Sequence, residues 1–110
     1  MGTKVKQVSI YVGLNDSETY KQEFDTEKYI SILKTVCKNY RVAFSMHQVN
    51  GGYIHDDGTF VEENTLVLTL IDTDDDIIHE IAKDLCVFFH QESVLVSTGE
   101  AEIQFISETL

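Results

Sequence analysis

The stretch that decides the fold is GGYIHDDGTFVEENTLVLTLI, which runs from Gly51 to Ile71. Asp57 and Gly58 both tolerate positive φ, and such a pair between two apolar segments is the strongest short-range signal of a β-hairpin. The arm after the turn continues over Leu66–Leu70 with leucine at every second position, the period of a half-buried strand. A long hairpin therefore lies in the middle of the chain, and its flanking residues Tyr53–Ile54 and Phe60–Val61 are expected to pair across the turn.

Outward from the hairpin, alternating and helical periodicities predict one strand and one helix on either side. The predicted elements are a strand over Lys4–Leu14, a helix from Asp25 or Thr26 to about Arg41, a strand over Val42–Val49, a helix capped by Thr73 and Asp76 that ends at His90–Gln91, and a strand from Ser93 to Phe105. Glycines in strands often mark bulges, so Gly51–Gly52 is expected to break or bulge its strand, and Thr98–Gly99 to form a bulge or tight turn.

The second helix carries its apolar residues on one side, which we expect to be buried: Ile77, Ile78, Ile81, Leu85, Phe88 and Phe89. The order strand, helix, strand, strand, helix, strand places both helices on one face of an antiparallel sheet. The fold class is thus α+β, a two-layer ferredoxin-like βαββαβ sandwich in a single domain, 1–110. Because the other sheet face would expose apolar residues such as Tyr11 and Val67, we predict a homo-oligomer that buries this face or the hairpin.

Composition restricts the classes of protein to which the chain can belong. Hydrophobic residues make up 43% of the sequence, as in a globular domain. No apolar run is long enough for a membrane span and no signal-peptide pattern is present, so we expect a cytoplasmic protein of the host cell with no membrane partner. Cys37 and Cys86 fall within predicted helices without a CxxC spacing and are interpreted as reduced structural thiols.

The sequence is strongly acidic, and its charged residues are unevenly distributed along it. The formal net charge is −11; residues 42–110 hold a single lysine and 14 acidic residues, whereas residues 1–41 hold seven of the eight basic residues. Phosphates would be repelled by most of such a surface, so we expect no nucleic-acid partner. The acidity favours solubility, and an alternative reading is mimicry of nucleic acid to block a basic protein.

The search for catalytic and metal-binding motifs is negative. The four histidines lack metal-ligand spacing, no serine lies in a nucleophile elbow, and Gly51–Gly52 is not followed by a phosphate-loop motif. The acidic run Asp72–Asp76 lacks the glycine and glutamate of a calcium loop and is read as a helix cap. We therefore expect no catalytic residue, no metal and no cofactor, and do not expect an enzyme.

Two features nevertheless suggest a binding site. Lys34, Lys38 and Arg41 lie on one flank of the first helix, where they either offset the helix dipole, anchor an anion or face another subunit. The polar residues of the loop between the second helix and the last strand either cap the helix or form the rim of a ligand site.

Three strings together resemble a known family. They are YVGLNDSETYKQE (Tyr11–Glu23), GGYIHDDGTFVEENTLVL (Gly51–Leu68) and HQESVLV (His90–Val96). In this order they are similar to short phage and prophage proteins of the first Thoeris anti-defence family. The resemblance implies an oligomeric sponge that sequesters an immune signalling nucleotide, a cyclic ADP-ribose isomer or a cyclic oligonucleotide, without cleaving it, at sites between adjacent protomers.

The resemblance also implies candidate ligand residues. Tyr53 and His55 match the hairpin motif, and the tyrosine ring offers a surface on which adenine could stack. Gln91, Glu92 and Ser93 match the loop motif, whereas His90 stands where the family pattern has asparagine, a change expected to alter ligand choice or affinity. Arg41 joins them on charge alone, because a diphosphate would need a cation. The alternatives to a sponge are an acidic protein–protein inhibitor and a ligand-free assembly domain.

Overall fold

Six elements follow one another in the order that the sequence pattern predicts. The computed structural model describes residues 2–108, so the predicted domain 1–110 includes three residues, 1, 109 and 110, that lie outside the described part of the chain. The element bounds are β1 Thr3–Gly13, α1 Thr26–Tyr40, β2 Phe44–Ile54, β3 Phe60–Ile71, α2 Asp75–Phe88 and β4 Leu95–Ile103.

The four strands form one antiparallel sheet in the order β2-β3-β1-β4. Both helices cover the same face, because alternate residues of the two central strands are buried with the apolar stripes of α1 and α2. The core contributed by the strands consists of Val8, Ile10, Val12, Leu66, Leu68 and Leu70. The predicted α+β, ferredoxin-like βαββαβ sandwich with a long central hairpin is confirmed.

The apolar stripe of α2 agrees with the prediction except at Phe88 and at Ile77, which is only partly buried. The buried helix residues are Tyr29, Leu33, Val36, Cys37, Ile78, Ile81, Leu85 and Phe89. Phe88, which was expected to be buried, is 53% exposed. Its position lies at the margin of the stripe defined by Ile78, Ile81 and Leu85, where it lines a surface depression with residues of α1.

The helix ends differ in detail from the sequence prediction. The N-cap of α2 is Asp74, one residue after the expected Thr73, and its side chain makes no capping hydrogen bond. The predicted capping box is therefore wrong, although Asp75 and Asp76 do place negative charge in the first turn. At the C-termini, Arg41 (φ 55°) and His90 (φ 52°) adopt left-handed conformations and close each helix with backbone hydrogen bonds.

The central hairpin forms as predicted, but its strands are more regular than expected. Tyr53 pairs with Val61 and Ile54 with Phe60, and in the five-residue connection between them, 55–59, Gly58 alone has positive φ (88°). The expected break at Gly51–Gly52 is wrong, because β2 pairs continuously through both glycines. A Cβ at either glycine would crowd the side chain of Thr65 or Phe60, so these glycines make room for the neighbouring strand.

The hairpin projects beyond the rest of the sheet. The pairing of β1 with β3 ends at Gly13 opposite Thr65, so Phe60–Asn64 and the matching end of β2 extend past β1. The molecule is consequently elongated, with extents of 54 × 28 × 28 Å. At the opposite edge, β4 pairs continuously with β1 through Thr98 and Gly99, so the expected bulge or turn there is also wrong. The strand ends at Ile103, and Phe105 is 97% exposed.

The sheet face opposite the helices, here called the open face, comprises the odd-numbered residues of the four strands. Glu63 is the only Asp, Glu, Lys or Arg on it, and many of its residues are Ser, Thr, Gly or Ala. Tyr11 is 38% exposed, as expected for this face, but Val67 is only 3% exposed. Val67 is covered because it is flanked on both sides, by Tyr11 of β1 and His47 of β2.

Both cysteines are free thiols, as the sequence suggests. Burial raises the pKa of the Cys37 thiol from an ordinary value of 9.0 to about 11. Within residues 2–108, no helix is long and apolar enough to cross a membrane.

Cys37 is therefore expected to resist thiol reagents, because attack requires a solvent-accessible thiolate. Titration with Ellman's reagent at pH 8 should detect about one reactive thiol per native chain, that of the half-buried Cys86. In denaturant it should detect about two. The Cys86→Ser variant is the control and should show almost no rapid reaction when folded. Rapid reaction of Cys37 in that variant would contradict its buried position.

Candidate functional site

Three segments that are distant in sequence meet at the end of the sheet from which the hairpin projects. The first is the loop that follows β1, anchored to β3 where the Leu14 N–H donates to the Asn64 carbonyl at 2.9 Å. The second is the projecting part of the hairpin, and the third is the loop between α2 and β4. Each of these segments holds one of the three strings on which the family resemblance depends.

The first and third segments are held together by direct hydrogen bonds. The Ser17 N–H donates to the His90 carbonyl at 2.9 Å, and Gln91 Nε2 donates to the Asn15 carbonyl at 2.6 Å. The His90 ring lies 3.0 Å from Asp16 Oδ2. Hydrogen bonds from the N–H groups of Glu18 and Thr19 and from the His90 ring hold the pKa of Asp16 below its ordinary value. His90 and Gln91 thus fix the loop that follows β1 in place.

Aromatic rings from the first two segments form a small cluster. The ring centroids of Tyr53 and His55 are 5.1 Å apart, and those of His55 and Tyr20 are 6.1 Å apart, both in edge-to-face geometry. Tyr20 is held with a left-handed backbone (φ 61°) and is 70% exposed, while Tyr53 is 44% exposed. The rings therefore present accessible surface at the end of the sheet, where a flat ligand could stack.

Two carboxylates accompany these rings. Glu63 is half-buried and accepts a hydrogen bond from the Asn15 N–H at 2.9 Å. Burial, followed by the negative charges of Glu63 and then Glu92, raises the pKa of Tyr53, so both carboxylates act electrostatically on this phenol. We call Tyr20, Tyr53, His55, Glu63 and Glu92 the distal cluster.

The structure gathers most, but not all, of the residues proposed from the sequence. Tyr53 and His55 belong to the distal cluster, and His90 and Gln91 lie at its base, where their side chains bond to the loop after β1. Ser93 is exposed in the same α2–β4 loop. Arg41 lies at the opposite end of the sheet: it precedes Phe44, and nine residues of strand, about 30 Å, separate Phe44 from Tyr53.

Arg41 and Tyr53 therefore cannot contact one ligand within a single chain. A shallow depression beside Arg41 is lined by Asp72, Asp74 and Tyr40, among others, so its surroundings are acidic as well. If both residues serve one site, they must come from different copies of the chain.

Sequence reasoning missed Glu63 and Tyr20. The alternation of side chains along β3 could have pointed to Glu63. It lies on the same strand face as Thr65, Val67 and Thr69 and is the one charged residue of that series. Tyr20 gave no periodic signal, since its position depends on the loop that His90 and Gln91 hold in place. Among the described residues, no group of three or more His, Cys, Asp or Glu side chains is arranged to hold a metal ion.

No protein-family model matches the sequence, and no curated protein matches it significantly. Solved structures do share its fold. A phage SAM lyase in complex with S-methyl-5'-thioadenosine superposes with a TM-score of 0.67 and 20% identity, over 92% of this chain and 90% of that chain. A phage SAM lyase in its apo state gives 0.68 and 22%, over 97% of this chain and 91% of that chain.

Nucleotide-bound regulatory proteins have the same fold at lower similarity. The B. subtilis GlnK–ATP complex gives a TM-score of 0.59 and 14% identity, over 92% of this chain and 84% of that chain. The PII-like protein CPII from Thiomonas intermedia K12, bound to ADP, AMP and bicarbonate, gives 0.56 and 10%, over 94% and 99%. At these identities the similarity establishes the fold, and the Thoeris resemblance stays a prediction.

Proposed function

We propose that this chain binds an adenosine-containing small molecule at the distal cluster and withholds it without cleaving it. The observation that carries the proposal is the convergence of three separate segments at one end of the sheet. Tyr53, His55 and Tyr20 supply ring faces there, and stacking of a base on an aromatic side chain contributes about 1–3 kcal/mol.

The choice of adenosine is supported by the structures that share this fold. These structures hold S-methyl-5'-thioadenosine, ATP, ADP or AMP, each of which contains an adenine nucleoside, and one of them also holds bicarbonate. The Thoeris resemblance suggests a narrower role, in which a phage-encoded protein sequesters a cyclic ADP-ribose isomer or a cyclic oligonucleotide in the host cytoplasm. Withholding rather than cleavage follows from that resemblance.

We further propose that the protein acts as a homo-oligomer in which copies pack through the open face. Four strands about 4.8 Å apart, the shortest of them nine residues long, present roughly 550 Å² of nearly uncharged surface. A stable interface buries about 800 Å² on each partner, an area that the open face and the projecting hairpin could supply together. Small residues on this face allow another sheet to approach closely, and a neighbouring copy could then bring its own side chains, Arg41 among them, to the distal cluster.

The Tyr53→Ala variant tests the site. It is expected to weaken binding of the preferred ligand by about 5- to 150-fold, because it removes the stacking surface. The measurement is isothermal titration calorimetry with a panel of S-adenosylmethionine, cyclic ADP-ribose isomers and cyclic di- and trinucleotides. Phe60→Ala is the matched control, since it removes an exposed ring from the opposite face of the same hairpin.

Mass spectrometry of the same mixtures separates withholding from turnover. The ligand should be recovered intact after release by heat. If no member of the panel produces heat at micromolar protein, or if Phe60→Ala weakens binding as much as Tyr53→Ala, the proposed site is wrong. A host protein captured at low salt and released at high salt would instead favour the acidic inhibitor.

A second candidate function is cleavage of a sulfonium-containing adenosine. The phage SAM lyase structures share the fold over more than nine-tenths of this chain, and the distal cluster places a carboxylate near a phenol. Such groups can move protons in a reaction. The appearance of S-methyl-5'-thioadenosine on incubation with S-adenosylmethionine would favour this function over withholding.

A further inference from the structure

Glu63 is a carboxylate that the fold fixes in place without a cation. Its Oε2 accepts the Asn15 N–H at 2.9 Å, and its carboxylate lies over Gly13, where a Cβ would collide with it. Across residues 2–108, no Lys, Arg or His nitrogen lies within ion-pairing distance of the Glu63 or Glu92 carboxylate. A half-buried carboxylate with no ion pair is costly unless something else compensates its charge.

The strand position across from Glu63 lacks a side chain, and Thr65 Oγ1 lies 2.7 Å from where a Cβ would stand there. The residue directly opposite Glu63 on β2 is Gly51, which has no side chain. Tyr53 is the next residue on the same face of β2, so it lies diagonally across from Glu63. Glu63 is thus a fixed anion with an aromatic residue, Tyr53, on the neighbouring strand.

Other acidic residues accompany Glu63 and Tyr53. Glu92 acts on Tyr53 from the α2–β4 loop, and Asp56 and Asp57 lie in the turn next to His55. Burial is the main cause of the raised pKa of Tyr53, and the negative charges of Glu63 and then Glu92 add to it. A diphosphate placed here would be repelled, whereas a cation would be attracted both by the carboxylates and by the faces of the aromatic rings.

We propose that the distal cluster binds the positively charged part of its ligand, a sulfonium or ammonium group, with Glu63 as counter-ion and Tyr53 as the aromatic wall. This inference rests on the proposed function, since it specifies the charge of the adenosine-containing ligand held at that site. It excludes a purely anionic nucleotide as the preferred ligand.

The test uses two ligands that differ by one methyl group and one charge. S-adenosylmethionine carries a sulfonium, and S-adenosylhomocysteine carries a neutral thioether. Titration calorimetry of the full chain should show the sulfonium compound binding at least about tenfold more tightly. Glu63→Gln should reduce this ratio to within about threefold, because the amide keeps the shape and loses the charge.

Glu62→Gln is the matched control, because Glu62 is exposed on the opposite face of the same strand and should leave the ratio unchanged. Glu63→Asp keeps the charge, and it should retain a preference for the sulfonium that Glu63→Gln loses. Circular dichroism establishes that each variant is folded before titration. The chain is also incubated with each ligand and examined by mass spectrometry, so that heat from turnover is not read as binding.

The outcomes separate this inference from the proposed function. Equal affinity for the two compounds, or tighter binding of a cyclic ADP-ribose isomer than of either, overturns the preference for a cation and leaves adenosine binding in place. Absence of binding to every adenosine compound overturns both. An unchanged ratio in Glu63→Gln assigns any sulfonium preference to other residues and overturns the role of Glu63.

Discussion

Replacing Gly99 with arginine is expected to convert the proposed homo-oligomer into folded monomers. Gly99 lies on the open face of β4, and a Cβ built there meets no atom within 4 Å, so a single chain can accommodate the larger side chain. An arginine within an uncharged interface would bury an unpaired charge, which costs several kcal/mol. The dissociation constant of the assembly should therefore rise by more than about 100-fold.

Sedimentation velocity over a range of concentrations measures this effect. The His79→Arg variant is the control, since it adds the same side chain at an exposed position of α2 and should leave the assembly intact. If the natural sequence sediments as a monomer at micromolar concentration, or if Gly99→Arg assembles as the natural sequence does, the open face is not the interface.

The Leu68→Ala variant is expected to produce the largest loss of stability. Leu68 is fully buried at the centre of β3, between Ile10 of β1 and Met46 of β2. Truncating a buried leucine removes its transfer free energy and leaves a cavity, at a cost of about 2–5 kcal/mol. Domains of this size are typically stable by about 5–15 kcal/mol, so the variant would lose a large share of its free energy of unfolding.

Urea unfolding followed by circular dichroism measures this loss. It should be carried out in the Gly99→Arg background, because association of the natural sequence would make its apparent stability depend on protein concentration. Val87→Ala, at a position 68% exposed, is the control and should change the free energy of unfolding by less than about 0.5 kcal/mol. A loss below about 1 kcal/mol for Leu68→Ala would contradict its place in the core.

The sequence predicted the order and type of the elements because those depend on local periodicity. The alternation of Leu66, Leu68 and Leu70 and the apolar stripe through Ile78, Ile81 and Leu85 each indicate one buried face. The wrong predictions concerned Gly51–Gly52 and Thr98–Gly99, where glycine was read as a break in the strand. In both places the neighbouring strand decides the outcome, and it continues the pairing through the glycines.

The site was harder to predict because it depends on contacts between distant segments. The matched strings identified Tyr53, His55 and Gln91, which the fold does bring to one end of the sheet. Arg41 was chosen for its charge, and nothing in the sequence gives its distance from Tyr53. Glu63 was missed because its significance comes from Gly13 and Asn15, which approach it only in the folded chain.

The position of β2 at the edge of the sheet affects how readily chains aggregate before they assemble. Its eleven residues, Phe44–Ile54, contain no proline and no Lys, Arg, Asp or Glu. These are residue types that commonly prevent one exposed edge strand from pairing with another. One row of backbone N–H and C=O groups along β2 can therefore form hydrogen bonds with an extended segment of another chain. Newly made or dissociated chains should tend to aggregate along this edge, and a lysine at the exposed Gln48, on the other face from the proposed interface, would be a simple safeguard for their purification.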